Sequence, residues 1–181
     1  MIFRDTEIPD ALVIEFEPHL DERGAFIRTF CAREFEAGGL DPMVAQCNLS
    51  MNHVRGTMRG MHSQRPPHGE AKLVRCLGGA IYDVIVDLRP DSAAFGKHFG
   101  LTLRAGDNRM LYVPVGVYHG FLTLEDHTEV FYQMSNYYEP KAATGVRWND
   151  PAFGIEWPEP VRAISTRDAS YPDWTEDNRG S

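Results

Sequence analysis

The sequence predicts an all-β fold, an antiparallel sandwich or barrel, on three observations. Short β-type runs recur along most of its 181 residues, turn-forming residues separate them, and only one segment has the composition of a helix. A chain of this length buries enough surface for one core, so a single domain over 1–181 is expected.

Taken in order, the first runs are 11–17 and 25–30. Segment 32–37 is the helix, stopped by Gly38-Gly39, since glycine suits a left-handed C-terminal cap. It is too short to form a layer. Further runs follow at 44–50, 72–77, 80–88, 99–104, 110–114 and 128–138. The intervening Gly78-Gly79, Arg89-Pro90-Asp91-Ser92 and Gly106-Asp107-Asn108 are turns of the kind that join antiparallel strands. From Gly154 onward Pro, Glu and Asp accumulate, which predicts a segment running over the surface with a frayed end.

Two runs alternate informatively. In 80–88, Ala80, Tyr82, Val84, Val86 and Leu88 share one face, and Ile81, Asp83, Ile85 and Asp87 the other. Asp83 therefore sits between two isoleucines and needs a partner; it either supports a site or caps a turn. In 128–138, Val130, Tyr132, Met134, Asn136 and Tyr138 fall on one face, which reads as a site wall, or for Tyr132 as packing with a satisfied hydroxyl.

Composition narrows the function classes. A net charge of −8 argues against nucleic acid as a partner, because such binding needs a surplus of Lys and Arg. No run approaches the ~20 apolar residues of a membrane span, and the start Met1-Ile2-Phe3-Arg4-Asp5 does not read as a secretion signal, so a cytoplasmic location is expected. Cys31, Cys47 and Cys76, three and widely spaced, predict reduced, buried thiols rather than a disulfide framework or a zinc site. Arg55, Arg59, Lys72 and Arg75 cluster locally, as a solvated face or as anchors for a small phosphorylated ligand.

The segments 59–64 (RGMHSQ) and 114–120 (PVGVYHG) resemble the first and second motifs of the cupin superfamily. In the second, proline and glycine shape a tight turn that returns His119 into the barrel. Metal-binding cupins carry His-x-His in the first motif, and here Gln64 takes the second position. An amide is a poor transition-metal ligand, so His62, His68 or Glu70, and His119 would make an irregular site, and no metal is expected. Taken alone, His62 reads as a hydrogen-bonded core histidine.

It does not stand alone. Gln46-x-Asn48-x-Ser50, the stretch 55–64, 71–76, 82–89, the turn 114–121, Phe131-Tyr132, 135–138, 148–151 and 155–158 together resemble the dTDP-4-dehydrorhamnose 3,5-epimerase family, from about Asp21 to Asp168. The resemblance implies a cupin-type jelly roll that inverts C3 and C5 of a nucleotide-linked 4-keto-6-deoxyhexose through an enolate, with no cofactor and in a homodimer. By similarity His62 is the base, Asp168 orients it, Tyr132 donates a proton from the opposite face, and Lys72 stabilises the enolate oxygen. Arg59 and Arg167 would contact the diphosphate. Arg23, Gln46, Asn48 and Tyr138 would surround the nucleoside, with Arg23 reaching the partner's site; His119 joins the substrate-binding set.

Three positions depart from the family pattern: His19 replaces an aromatic ring, Arg28 an acidic residue, and Ser63 the aromatic of His-aromatic-Gln. All three are expected near the nucleotide or sugar entrance. The alternatives left open are a monofunctional C3 epimerase, a metal-dependent cupin enzyme and a sugar-binding module without chemistry.

Overall fold

The computed structural model describes residues 1–175. Among them, two antiparallel sheets pack face to face. The six-stranded sheet has the order β1 (Ile2–Asp5), β2 (Leu12–Glu15), β10 (Arg109–Val113), β7 (Lys72–Gly78), β12 (Thr128–Met134), β5 (Gln46–Asn52). The five-stranded sheet runs β13 (Ala143–Gly145), β6 (Met58–Gln64), β11 (Val117–Thr123), β8 (Ala80–Asp87), β9 (His98–Arg104). A separate hairpin joins β3 (His19–Asp21) to β4 (Gly24–Phe26). Apart from the consecutive pairs β1–β2 and β8–β9, neighbours within each sheet come from distant parts of the chain, as in a jelly roll.

The sheets are joined by apolar residues from both inner faces. Val74, Leu111 and Val130 of the first sheet meet Ile81, Ile85, Leu103 and Phe121 of the second, all buried. The predicted alternation of 80–88 holds: Ile81, Asp83 and Ile85 face inward, while Tyr82, Val84 and Val86 pack outward under Phe153, Ile155 and Trp157. The segment after Gly154 thus does run over the outside, where it shields one face of the five-stranded sheet. Its expected frayed end falls on residues 176–181, outside the described residues. On the other sheet, α1 (Ala32–Ala37) occupies the predicted positions, with Gly39 at φ +75° just beyond it, and Phe35 seals Ile14, Leu73 and Tyr112.

Several expectations need correction. The run 25–30 pairs only as far as Phe26, 44–50 is shifted to Gln46–Asn52, and 128–138 ends as a strand at Met134. Asn136 and Tyr138 consequently leave the face shared by Val130, Tyr132 and Met134; Asn136 turns its amide to the Gly69 carbonyl. Strands β6 and β11 lie outside the runs expected from the sequence; in β6 the cavity-lining Arg59 and His62 break the apolar alternation. The helix α2 (Thr166–Ala169) was missed, although Ser165-x-x-Asp168 is an N-cap pattern and the Ser165 hydroxyl does accept the Asp168 N–H. Of the three free thiols only Cys76 is buried; Cys47 is exposed because it lies on the uncovered face of β5.

Candidate active site

Between the sheets lies a cavity of about 660 Å³. Its walls draw on both sheets and on the segment 163–168. From the six-stranded sheet come Asn48, Lys72 and Tyr132, and register explains their grouping: Tyr132 pairs with Asn48 on one side and with Val74 on the other, while Lys72 pairs with Met134. From the five-stranded sheet come Arg59, His62 and His119, with His62 and His119 directly opposed across β6 and β11.

Two local features set this second wall. Val117 donates its N–H to the Pro114 carbonyl across a turn with Gly116 at φ +82°, where only glycine is relaxed, and the chain then enters β11 toward His119. Gly60 has φ +129°, and a Cβ there would stand 2.4 Å from the Gly120 Cα. That close approach draws β6 against β11 beside their register shift.

Both histidines are held by carboxylates. His62 Nε2 lies 2.7 Å from Asp168 Oδ1, and the other Asp168 oxygen accepts the Gly60 N–H. Burial pushes the Asp168 carboxyl up, but the His62 contact, with Gly60 and Ser165, outweighs it and holds the group below its usual range. An ionised carboxylate only accepts, so His62 carries its proton on Nε2 and leaves Nδ1 as the basic nitrogen. His119 Nε2 lies 2.6 Å from Asp83 Oδ1, which settles the question about Asp83: it supports a cavity histidine. Asp83 Oδ2 is buried without a hydrogen-bond partner among the described residues.

Tyr132 lines the cavity and stands 5.9 Å from the His119 ring, edge to face. Burial, and then the charge of Asp83, push its phenol well above the ordinary value against a smaller opposing effect of Arg59. The phenol therefore keeps its proton at ordinary pH. Lys72 donates to Glu70 Oε1 at 2.5 Å. Arg59 is aimed by Asn52 Oδ1 at 2.7 Å, and Arg167 by the hydroxyls of Tyr171, at 2.9 Å, and Tyr138.

Eight of the eleven sequence-derived site residues therefore line one cavity: Asn48, Arg59, His62, Lys72, His119, Tyr132, Arg167 and Asp168. Gln46, Tyr138 and Arg23 do not. Gln46 accepts the Tyr138 N–H at the cavity's margin, and Arg23 is 84% exposed on the β3–β4 hairpin, paired to Asp21. The basic cluster divides: Arg59 and Lys72 face the cavity, Arg55 pairs with Glu159, and Arg75 lies under the Phe16 ring elsewhere. His19 and Arg28 line a different cleft with Met1 and Glu34, and Ser63 is buried outside the cavity wall, so these three departures do not border this chain's own cavity. Gln64 turns its amide to Glu70, and among the described residues no three His, Cys, Asp or Glu side chains converge on a point where an ion would sit. Sequence reasoning missed Ser165 and Tyr171; the N-cap pattern signals the first, and nothing local signals the second.

The chain matches the family described as dTDP-4-dehydrorhamnose 3,5-epimerase over residues 5–176. It is 40% identical over 174 residues to the dTDP-4-dehydrorhamnose 3,5-epimerase of Salmonella typhimurium, an alignment covering 95% of this chain and 94% of that one. The crystal structure of the enzyme of that name from Elizabethkingia anophelis superposes with a TM-score of 0.94 at 35% identity, covering 99% and 98% of the two chains. That from Bacillus anthracis, with TDP and PPi bound, gives 0.92 at 38% identity, covering 96% and 99%.

Proposed function

The chain belongs to the dTDP-4-dehydrorhamnose 3,5-epimerase family and is thus a cupin-type epimerase of a nucleotide-linked sugar, and we propose that it inverts C3 and C5 by transferring protons between opposed His62 and Tyr132 side chains. The observation that carries this reading is their placement: His62 rises from β6 of one sheet, Tyr132 from β12 of the other, and both line the same cavity. Inversion needs that arrangement, since a proton leaves one face of the carbon and another arrives on the opposite face.

A ketone at sugar C4 acidifies the hydrogens on C3 and C5 because their removal gives an enolate. His62 Nδ1 takes the proton, and Asp168 stabilises the resulting imidazolium. Lys72 faces the developing charge on the C4 oxygen, where a fixed cation acts most strongly in a water-poor site. The phenol of Tyr132 then protonates the carbon from the far side. Each cycle returns both groups to their starting state through solvent, and no electrons are exchanged. Arg59 and Arg167 bind the diphosphate, whose charges match two aimed guanidinium groups. Asn48, Gln46 and Tyr138 flank the nucleoside, and His119 contacts the sugar.

The working unit is a homodimer. Arg23, Leu20 and Phe26 project from the β3–β4 hairpin, and Leu49, Met51 and Leu77 are exposed on the outer face of the six-stranded sheet. Pairing through that face covers these apolar side chains and delivers Arg23 to the second cavity.

The test is incubation with the dTDP-, GDP- and CDP-linked 4-keto-6-deoxy sugars in deuterium oxide, read by NMR at C3 and C5. Deuterium and inverted configuration at both carbons of the dTDP sugar are expected. Exchange confined to C3, or preference for another nucleotide, would overturn the assignment.

A further inference from the structure

We propose that Gln64 and Glu70 form a positioning pair that holds the Lys72 ammonium in the cavity wall and so sets its alignment with the enolate oxygen; the proposal rests on the reading of Lys72 given above and deepens it. Lys72 opens β7 with only 7% of its side chain exposed, and Glu70 is 3% exposed. An ammonium withdrawn this far from water needs a fixed counter-charge, and the Glu70 carboxylate at 2.5 Å supplies it. One residue separates the two in the chain, and their charged ends meet directly. Lys72 lines the cavity and Glu70 does not, so Glu70 acts through Lys72 rather than on the sugar.

Gln64 fixes the carboxylate in turn. Its amide nitrogen donates to Glu70 Oε2 at 2.5 Å and lies within hydrogen-bond reach of the His68 and Tyr137 carbonyls, while its oxygen accepts the Glu139 N–H at 2.6 Å. Turning the amide over would set its oxygen against three acceptors and its nitrogen against a donor, so its orientation is determined. Being neutral, Gln64 orients Glu70 without drawing its charge away from Lys72, which a protonated histidine at that position would do. Lysine has a flexible four-carbon stem, and a cation that must meet charge only as it develops works best when held beforehand. The Gln64–Glu70–Lys72 chain supplies that restraint.

The test compares Glu70→Gln, Lys72→Ala and the double variant for kcat, KM and dTDP affinity on the dTDP 4-keto-6-deoxy sugar. Glu70→Gln keeps the shape and removes the charge. Its kcat should fall roughly tenfold to a hundredfold, with KM and dTDP affinity within about threefold of the parent. Because both changes act on one ammonium, the double variant should be no slower than Lys72→Ala alone. Multiplicative losses, or a parental kcat for Glu70→Gln beside a slow Lys72→Ala, overturn the positioning pair and leave the role of Lys72 intact. A parental rate for Lys72→Ala overturns that role and the proposal with it. Should Glu70→Gln fail to fold, Gln64→Met removes the amide while leaving the Glu70–Lys72 contact; reduced kcat at constant KM supports the pair, and an unchanged kcat overturns it.

Discussion

His62 and His119 are register partners on β6 and β11, and each meets a carboxylate through Nε2: His62 that of Asp168 from α2, His119 that of Asp83 from β8. Their exposure differs. The His62 side chain is 40% exposed in the cavity, whereas His119 and Asp83 are 4% and 0% exposed.

His62→Ala should therefore abolish deuterium exchange at both carbons while the chain still folds, with a lower melting temperature because Asp168 loses the His62 contact. His119→Ala should lower stability by roughly 3 kcal/mol, because it leaves the Asp83 carboxylate buried with neither oxygen paired. Denaturant unfolding and NMR exchange on the two variants check both halves. Near-parental exchange in His62→Ala would remove it as the base.

Tyr132→Phe deletes the hydroxyl and keeps the ring that packs near His119 and Phe121. The enolate still forms, but reprotonation returns from the His62 side with retention. Inverted product should fall by about 10²–10⁴-fold while deuterium incorporation falls less. Equal loss of both would assign Tyr132 to positioning the sugar, and unchanged inversion would return it to packing.

Acid should destabilise the fold through Asp87 and Asp168. Burial pushes the Asp87 carboxyl up, but hydrogen bonds from Arg89 and Ser92 outweigh it and hold it below the usual range, as the His62 contact does for Asp168. A carboxyl whose native pKa is depressed contributes stability above its unfolded value of about 3.9, and that contribution is lost as pH falls through the lower native value. Asp87→Asn should thus melt lower than the parent at neutral pH, with the gap narrowing below about pH 4. A gap constant from neutral to acid would show that the Asp87 charge is not its source.

Gly60→Ala should cost about 2 kcal/mol or more, since it combines φ +129° with a clash against the Gly120 backbone. Because Gly60 also donates to Asp168, exchange at both carbons should slow along with the loss of stability. Parental melting and turnover would show that β6 and β11 can separate there without moving His62.

Local period and turn chemistry control part of this molecule. The two faces of 80–88, the helix 32–37 and the Pro114–Gly116 turn follow from which residues repeat at period two, where glycine tolerates positive φ, and where proline sets a bend. The eight cavity residues were legible because the ordered motifs of a known family carry them. The remainder depends on packing between distant segments. Whether a cation faces the cavity or the outside depends on which strand lies across from it, and so Arg59 and Lys72 turn inward while Arg55 and Arg75 do not. Strand β6 hides its period because one of its faces meets a polar cavity rather than a core. The carboxylates that hold Lys72 and His119 were assigned by packing, since a buried charge takes the partner that folding brings within hydrogen-bond distance, and sequence separation does not encode that distance.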